Sequence, residues 1–162
     1  MIFRVPIVIC EAPKDYIAIE ALRAVMRECD GIGEKTALTA YALDWFSVKT
    51  VRDIMTKLYG NEQINIADFS MEVYRCALSG DAVASEILRD CATRLFEMAS
   101  VVIDKCNAKQ IGTYGGVLQK NSIVRQYFLQ KIGQEYKDIR VVEERISAEE
   151  SAARYAREKI KE

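Results

Sequence analysis

Gln110-Ile111-Gly112-Thr113-Tyr114-Gly115-Gly116-Val117-Leu118-Gln119-Lys120-Asn121 reads as a short apolar strand, a Gly-Gly turn and the approach to an amphipathic helix. Glycine has no Cβ and tolerates positive φ, so a planar ligand can come close to the backbone at such a turn. The helix start beyond it offers N–H groups without intrahelical partners, suited to a polar or anionic ligand. A paired glycine after a strand also makes an ordinary tight turn. The stretch therefore settles a local strand–turn–helix and opens, without closing, the question of a ligand.

Downstream the same rhythm repeats. Residues 109–113 predict a strand, 121–132 a helix ending at Gly133, and 139–142 a second strand. Ser147-Ala148-Glu149-Glu150 is a capping box that opens a last helix. Strand–helix–strand–helix order implies a right-handed crossover and two parallel strands. Two strands do not make a stable sheet, so the N-terminal segment or another chain must supply more.

Upstream the pattern is helical. Ile17, Ile19, Leu22, Val25 and Met26 lie on roughly one face of a helix over 15–29, closed by Asp30-Gly31-Ile32-Gly33. Ala37–Trp45 predicts a short helix, 49–59 a third that stops at Gly60, and 65–79 a fourth that stops at Gly80. Asp81 is the N-cap of the longest helix, whose apolar series runs Val83, Ile87, Leu88, Cys91, Leu95, Phe96, Ala99, Val102, Ile103 and Cys106. At about 1.5 Å per residue it is a rod near 37 Å long. Trp45, Phe46, Phe69, Tyr74, Phe96 and Phe128 fall at helical spacing and read as core.

The chain has 162 residues, 50% hydrophobic and 29% charged, with a net charge of −1. That balance gives no electrostatic footprint for nucleic acid or an acidic membrane. No repeat or linker interrupts it, so one continuous domain is the economical reading. There is no histidine, which excludes histidine acid–base catalysis, Ser-His-Asp and Cys-His nucleophiles and the usual zinc sites. The five cysteines, Cys10, Cys29, Cys76, Cys91 and Cys106, are odd in number, widely spaced and without a C-x-x-C. Cys91 and Cys106 fall on the apolar face of one helix. A reducing, cytoplasmic compartment is expected. The apolar run Ile2–Cys10 is too short to span a membrane and lacks a signal-cleavage pattern; residues 1–14 read as a strand or leader.

Four segments in order carry a family resemblance: Tyr16-Ile17-Ala18-Ile19-Glu20-Ala21-Leu22-Arg23-Ala24-Val25; Thr36-Ala37-Leu38-Thr39 with Lys57-Leu58-Tyr59; Ala77-Leu78-Ser79-Gly80-Asp81-Ala82-Val83-Ala84 with Ile87-Leu88; and Gly112–Asn121. Together they resemble the BadF/BadG/BcrA/BcrD ATPase family and its N-acetylglucosamine kinase relatives, in the actin/hexokinase/Hsp70 superfamily. The resemblance covers nearly everything after residue 15, as the carboxy-terminal half only.

That resemblance implies a helix-rich α/β fold. It would be a partial ribonuclease-H-like (actin-like ATPase) second lobe, with a helical subdomain at about 15–106, a strand–helix–strand–helix part at about 107–162 and a small, mostly parallel sheet. Gly115 and Gly116 would correspond to the family's adenosine motif, with Val117, Asn121, Thr113 and Tyr114 near the nucleotide. The helices would form one wall of a cleft and a dimer surface. The complete family fold uses ATP and Mg²⁺; neither is assigned to this chain itself.

The chain departs from the family pattern in three places. Cys10-Glu11-Ala12-Pro13-Lys14-Asp15 stands where family members carry a G-D-E-G-S-G hairpin, and proline has no N–H for a phosphate. Ala148 and Ser151-Ala152 replace parts of a late P-x-x-G-A motif. The first lobe, with its D-G-G-G-T-type loop and catalytic aspartate, has no counterpart. No catalytic or metal residue is therefore assigned. The expected function is the nucleotide-side half of an ATP-dependent N-acetylglucosamine (amino sugar) kinase-like protein of carbohydrate metabolism, inactive alone. Adenine nucleotide would bind weakly or not at all, and a homodimer or a complementary first-lobe chain is the expected partner.

Two alternatives stay open. One is the ATPase activator of a 2-hydroxyacyl-CoA dehydratase or benzoyl-CoA reductase system, with Cys10, Cys29, Cys76 and Cys106 as conceivable iron–sulfur ligands. The other is a non-enzymatic helical dimerisation module, since an incomplete sheet exposes an edge. Asp81 reads as a cap rather than a catalytic acid, Lys120 as a solvated residue, and Glu149 and Glu150 as dipole-complementing acids.

Overall fold

The helical periodicity of the first hundred residues and the strand signals after them both find their elements in a computed structural model, which describes residues 7–9, 13–60 and 64–143. The chain divides into two compact units, one taking Glu11–Arg94 and the other Met1–Cys10 with Leu95–Glu162. The division falls within the longest helix, Ala82–Cys106.

The first unit is helical: α1 (Pro13–Cys29), α2 (Leu38–Trp45), α3 (Val51–Tyr59), a 3-10 turn (Ile66–Phe69), α4 (Ser70–Leu78) and the first part of α5 (Ala82–Cys106). Helix α1 opens on Pro13, a position where the missing N–H costs no helical bond. It buries Ile17, Ala18, Ala21, Leu22 and Val25 along one stripe. It ends where Ile32 and Gly33 both donate backbone N–H groups to the Arg27 carbonyl, at 3.0 and 2.8 Å. A Cβ on Gly33 would lie 2.8 Å from the Arg27 backbone, so only glycine lets the chain fold back this tightly. Helix α3 begins in a reciprocal box in which Thr50 accepts from the Asp53 N–H and Asp53 accepts from the Thr50 N–H. Trp45, Phe46 and Phe69 meet with ring centroids 4.6 to 6.2 Å apart over a core that includes Leu38, Ile54, Val73, Cys76 and Leu88.

Asp81 caps α5 as its position suggests, accepting from the Ala84 N–H at 2.8 Å. The same carboxylate accepts from the Ala37 N–H at 2.7 Å and from the Thr36 hydroxyl at 3.0 Å. Thr36 Oγ1 in turn accepts from the Leu38 N–H at the start of α2. One side chain thus satisfies donors at two helix starts.

The second unit holds β1 (Ile7–Ile9), β2 (Gln110–Tyr114), α6 (Gly116–Lys120), α7 (Ser122–Glu135), β3 (Arg140–Glu143) and the end of α5. The strands form one sheet in the order β1-β2-β3, parallel throughout. Ile7–Ile9 stands opposite Gly112–Tyr114, and Gln110–Thr113 opposite Arg140–Glu143. The N-terminal segment is thus the source of a third strand. Buried Ile111, Val117, Leu118, Val124, Phe128 and Ile132 form the core here, with Leu95, Ala99 and Ile103 of α5.

Two local expectations need correction, and one element was not expected. The helix expected over 121–132 is α7, capped by Asn121; ahead of it stands the unexpected short α6, which starts on the second glycine of the turn and ends where the backbone breaks at Asn121 (φ −105°, ψ 99°). Gly133 does not end α7, which runs on to Glu135 and closes on Tyr136. Its φ is not left-handed, so the glycine acts as an ordinary helical residue. Cys106, expected beside Cys91 on the apolar face, is exposed at the last residue of α5, whereas Cys91 is buried. The capping box at 147–150, the late-motif positions Ala148, Ser151 and Ala152, and Cys10–Ala12 of the replaced hairpin lie outside the described residues.

Candidate functional site

A parallel sheet directs the carboxyl ends of its strands to one edge, the edge at which open α/β sheets take their ligands. Here Ile9, the last residue of β1, pairs with Tyr114, the last residue of β2. The next two residues are the glycine pair. Gly115 has φ 121° and ψ 150°, a conformation that L side chains rarely adopt. Gly116 follows with a φ outside the left-handed region as the first residue of α6. Both are half-exposed. The Gly-Gly pair thus sits at the carboxyl ends of β1 and β2, partly open, and its first glycine is conformationally required.

The six residues expected around a nucleotide divide by environment. Gly115 and Gly116 offer backbone at the surface. Thr113 is buried, its hydroxyl making a long 3.5 Å contact with the Val142 carbonyl of β3. Tyr114 closes the ladder opposite Ile9. Val117 is 5% exposed and belongs, with Leu118, to the core. Asn121 is 6% exposed, and its Oδ1 accepts from the Val124 N–H at 3.0 Å as the cap of α7. The start of α7 is therefore satisfied by the chain's own side chain. Helix α6, five residues long, carries little macrodipole. The geometry suits a flat, largely uncharged group lying against glycine backbone better than it suits a phosphate.

Two grooves are lined by described residues. One, of about 490 Å³, lies in the helical unit between Arg23, Arg27, Gly33, Val83 and Glu86. The other, of about 420 Å³, is lined by Asp104, Asn107, Lys109, Tyr136 and Lys137 in the sheet unit. Neither is lined by the glycine pair. Among the described residues no group of three or more cysteines, aspartates and glutamates could hold a metal ion. Of the conceivable cluster ligands, Cys29 and Cys106 are exposed, Cys76 is buried, and Cys10 lies outside the described residues. Burial, helped by the nearby Asp81 carboxylate, pushes the Cys76 thiol up to about 11, which opposes the thiolate that a metal needs. Lys120 is exposed. No helix among the described residues is long and apolar enough to cross a membrane.

Asp81 was legible as a cap of α5 but not as a partner of Thr36, 45 positions earlier. Tyr16, Asp90 and Arg94 form a second polar cluster that periodicity alone does not reveal.

Comparison with known proteins adds an independent line. The profile described as the BadF/BadG/BcrA/BcrD ATPase family matches residues 14–153. The chain is similar to the N-acetylmuramic acid/N-acetylglucosamine kinase of Clostridium acetobutylicum, 26% identical over an aligned length of 132, with 78% of this chain and 43% of the relative covered. It is similar to the N-acetyl-D-glucosamine kinase of Dictyostelium discoideum, 24% identical over 134 residues, again 78% of this chain and 42% of the relative. The chain thus spans about two fifths of the length of these relatives, and the match falls on their C-terminal part.

Proposed function

Because the chain belongs to the BadF/BadG/BcrA/BcrD ATPase family, we propose that it is the nucleotide-side half of an ATP-dependent amino-sugar kinase-like protein and is inactive alone. In this reading the three-stranded sheet is part of a ribonuclease-H-like second lobe, and adenine and ribose lie against Gly115 and Gly116. Thr113, Val117 and Asn121 shape that turn from behind: Thr113 is buried, Val117 packs into the core and Asn121 caps α7; Tyr114, next to Gly115 in the chain, belongs to the same proposed site. The single observation that carries the reading is the half-exposed glycine pair at the carboxyl ends of paired parallel strands, with Gly115 at φ 121°.

A kinase moves a phosphoryl group by positioning it and by countering its charge. The described residues supply a backbone surface for the nucleoside but no cage for the metal. Phosphate contacts, the sugar pocket and the catalytic carboxylate would come from a complementary first lobe. Nucleoside contacts without phosphate contacts suit weak binding, with a Kd on the order of 1 mM. A cytoplasmic setting, a place in carbohydrate metabolism and association with a first-lobe chain or a second copy belong to the same proposal. Its support is the odd cysteine count and the names of the two relatives.

The test is a titration of the ¹⁵N-labelled chain with ADP, and with ATP and Mg²⁺, followed by amide shifts. Shifts centred on residues 112–118 are expected. Gly116→Val, which adds bulk at a glycine whose φ is not left-handed, should weaken them at least about tenfold. No shift in that segment at several millimolar nucleotide, or shifts unaffected by Gly116→Val, would refute the assignment of the turn.

A further inference from the structure

The helical unit receives the chain at Glu11 and releases it at Arg94. Near these two ends one polar cluster joins the segments. Tyr16, in the first turns of α1, donates its hydroxyl to Asp90 Oδ2 on α5. Arg94, one turn beyond Asp90, lays its guanidinium over the Tyr16 ring, 4.4 Å from the centroid. Its Nε lies 3.6 Å from the same Asp90 oxygen. The three contacts close a ring of hydrogen bond, ion pair and cation–π stacking. Next to them Ile17 and Ala18 are already core, whereas Lys14 and Asp15 on the other side are exposed. Among the described residues of the first turn of α1, Lys14 and Asp15 bury little surface, and Tyr16 ties the turn to α5 through this cluster.

We propose that Tyr16, Asp90 and Arg94 form a latch that fastens the entering segment of this unit to its leaving segment, so that the first turn of α1 opens only when the Tyr16–Asp90 bond breaks. The latch rests on helix geometry alone and does not depend on the nucleotide reading. The phenol is well suited to it: burial, with the hydrogen bond to Asp90, pushes it up to about 12, so it keeps its donor proton throughout the physiological range. Arg94 stays charged beside it, holding the ring in place.

Lys14 provides the readout, because trypsin can cut after it only when that first turn has opened. Cleavage followed by mass spectrometry on the full chain should be about three- to fivefold faster after Lys14 in Tyr16→Phe and in Asp90→Ala, where the bond is lost. Asp90→Asn keeps an acceptor for the phenol and should stay closer to the original rate. Cleavage after Arg75, within α4, should not change in any variant. An increase of less than about twofold after Lys14 in Tyr16→Phe would overturn the latch. An equal increase after Arg75 would overturn it too, since the variant would then be loosening the whole unit.

Discussion

Asp81 shows how much one side chain can carry. Its carboxylate takes the Ala84 N–H at the start of α5, the Ala37 N–H and the Thr36 hydroxyl at the start of α2. Removing one helix cap typically costs about 1 kcal/mol, so Asp81→Ala should lower stability by about 2 kcal/mol, read as a shifted urea midpoint. Asp81→Asn keeps an acceptor and should lose less; a loss of only about 1 kcal/mol in Asp81→Ala, that of a single cap, would mean that the contact to Thr36 and Ala37 contributes nothing. A second residue-scale expectation concerns thiols. Cys29 and Cys106 are exposed while Cys76 and Cys91 are buried, so a thiol reagent at pH 8 should label the first pair quickly in the native chain and the second only after denaturant is added. The raised Cys76 thiol also sets a direction in pH. Its folded value, about 11, lies above the ordinary 9.0, so its contribution to stability is present below pH 9 and is lost as pH rises towards 11. Cys76→Ala should flatten that alkaline decline in a pH series of urea midpoints.

At the scale of elements, the segment 116–135 separates what periodicity can reveal from what it cannot. Val117, Asn121, Val124, Phe128 and Ile132 are all buried at spacings of three or four, so one rhythm runs across both helices; the sequence marked the start of α7 at Asn121 but not the short α6 ahead of it. What breaks them is local: the Asn121 side chain takes the Val124 N–H, a choice that Asn makes readily at a helix start. Asn121→Ala should therefore cost about 1 kcal/mol, measured by chemical denaturation. Gly133 makes the opposite point. A glycine after an apolar series reads as a helix stop, but here the helix continues and a Cβ would meet nothing within 4 Å. Gly133→Ala should stabilise the chain by about 0.5–1 kcal/mol; a loss would restore the reading of Gly133 as a stop signal. The boundaries of α1, α3 and α5 were legible because each has its own signal, respectively a glycine loop, Gly60 and Asp81. At the candidate site the Gly-Gly turn was legible in the same way. The burial of Thr113 was not, since it depends on β3 lying alongside, 29 residues later.

At the scale of the whole molecule, the question is what a chain matching two fifths of a sugar kinase can do. Phosphoryl transfer needs a carboxylate near the acceptor hydroxyl, donors around the phosphates and a metal between them. The chain has no histidine to substitute as base, and its described residues group no metal-binding set. Its glycine pair stands half-exposed at the carboxyl ends of β1 and β2, where the proposed function puts the nucleoside. In the proposed function this chain holds a nucleotide, and the chemistry belongs to a complementary first lobe. The purified chain, given ATP, Mg²⁺ and N-acetylglucosamine, should therefore form no sugar phosphate above the rate without protein, even at concentrations where the amide titration shows nucleotide bound. Sugar phosphate formed in proportion to added chain, and lost in Gly116→Val, would show instead that this half carries its own catalytic groups. The two measurements are independent: binding without turnover fits the half-site, while turnover overturns its inactivity but leaves the glycine turn as the place where the nucleotide sits.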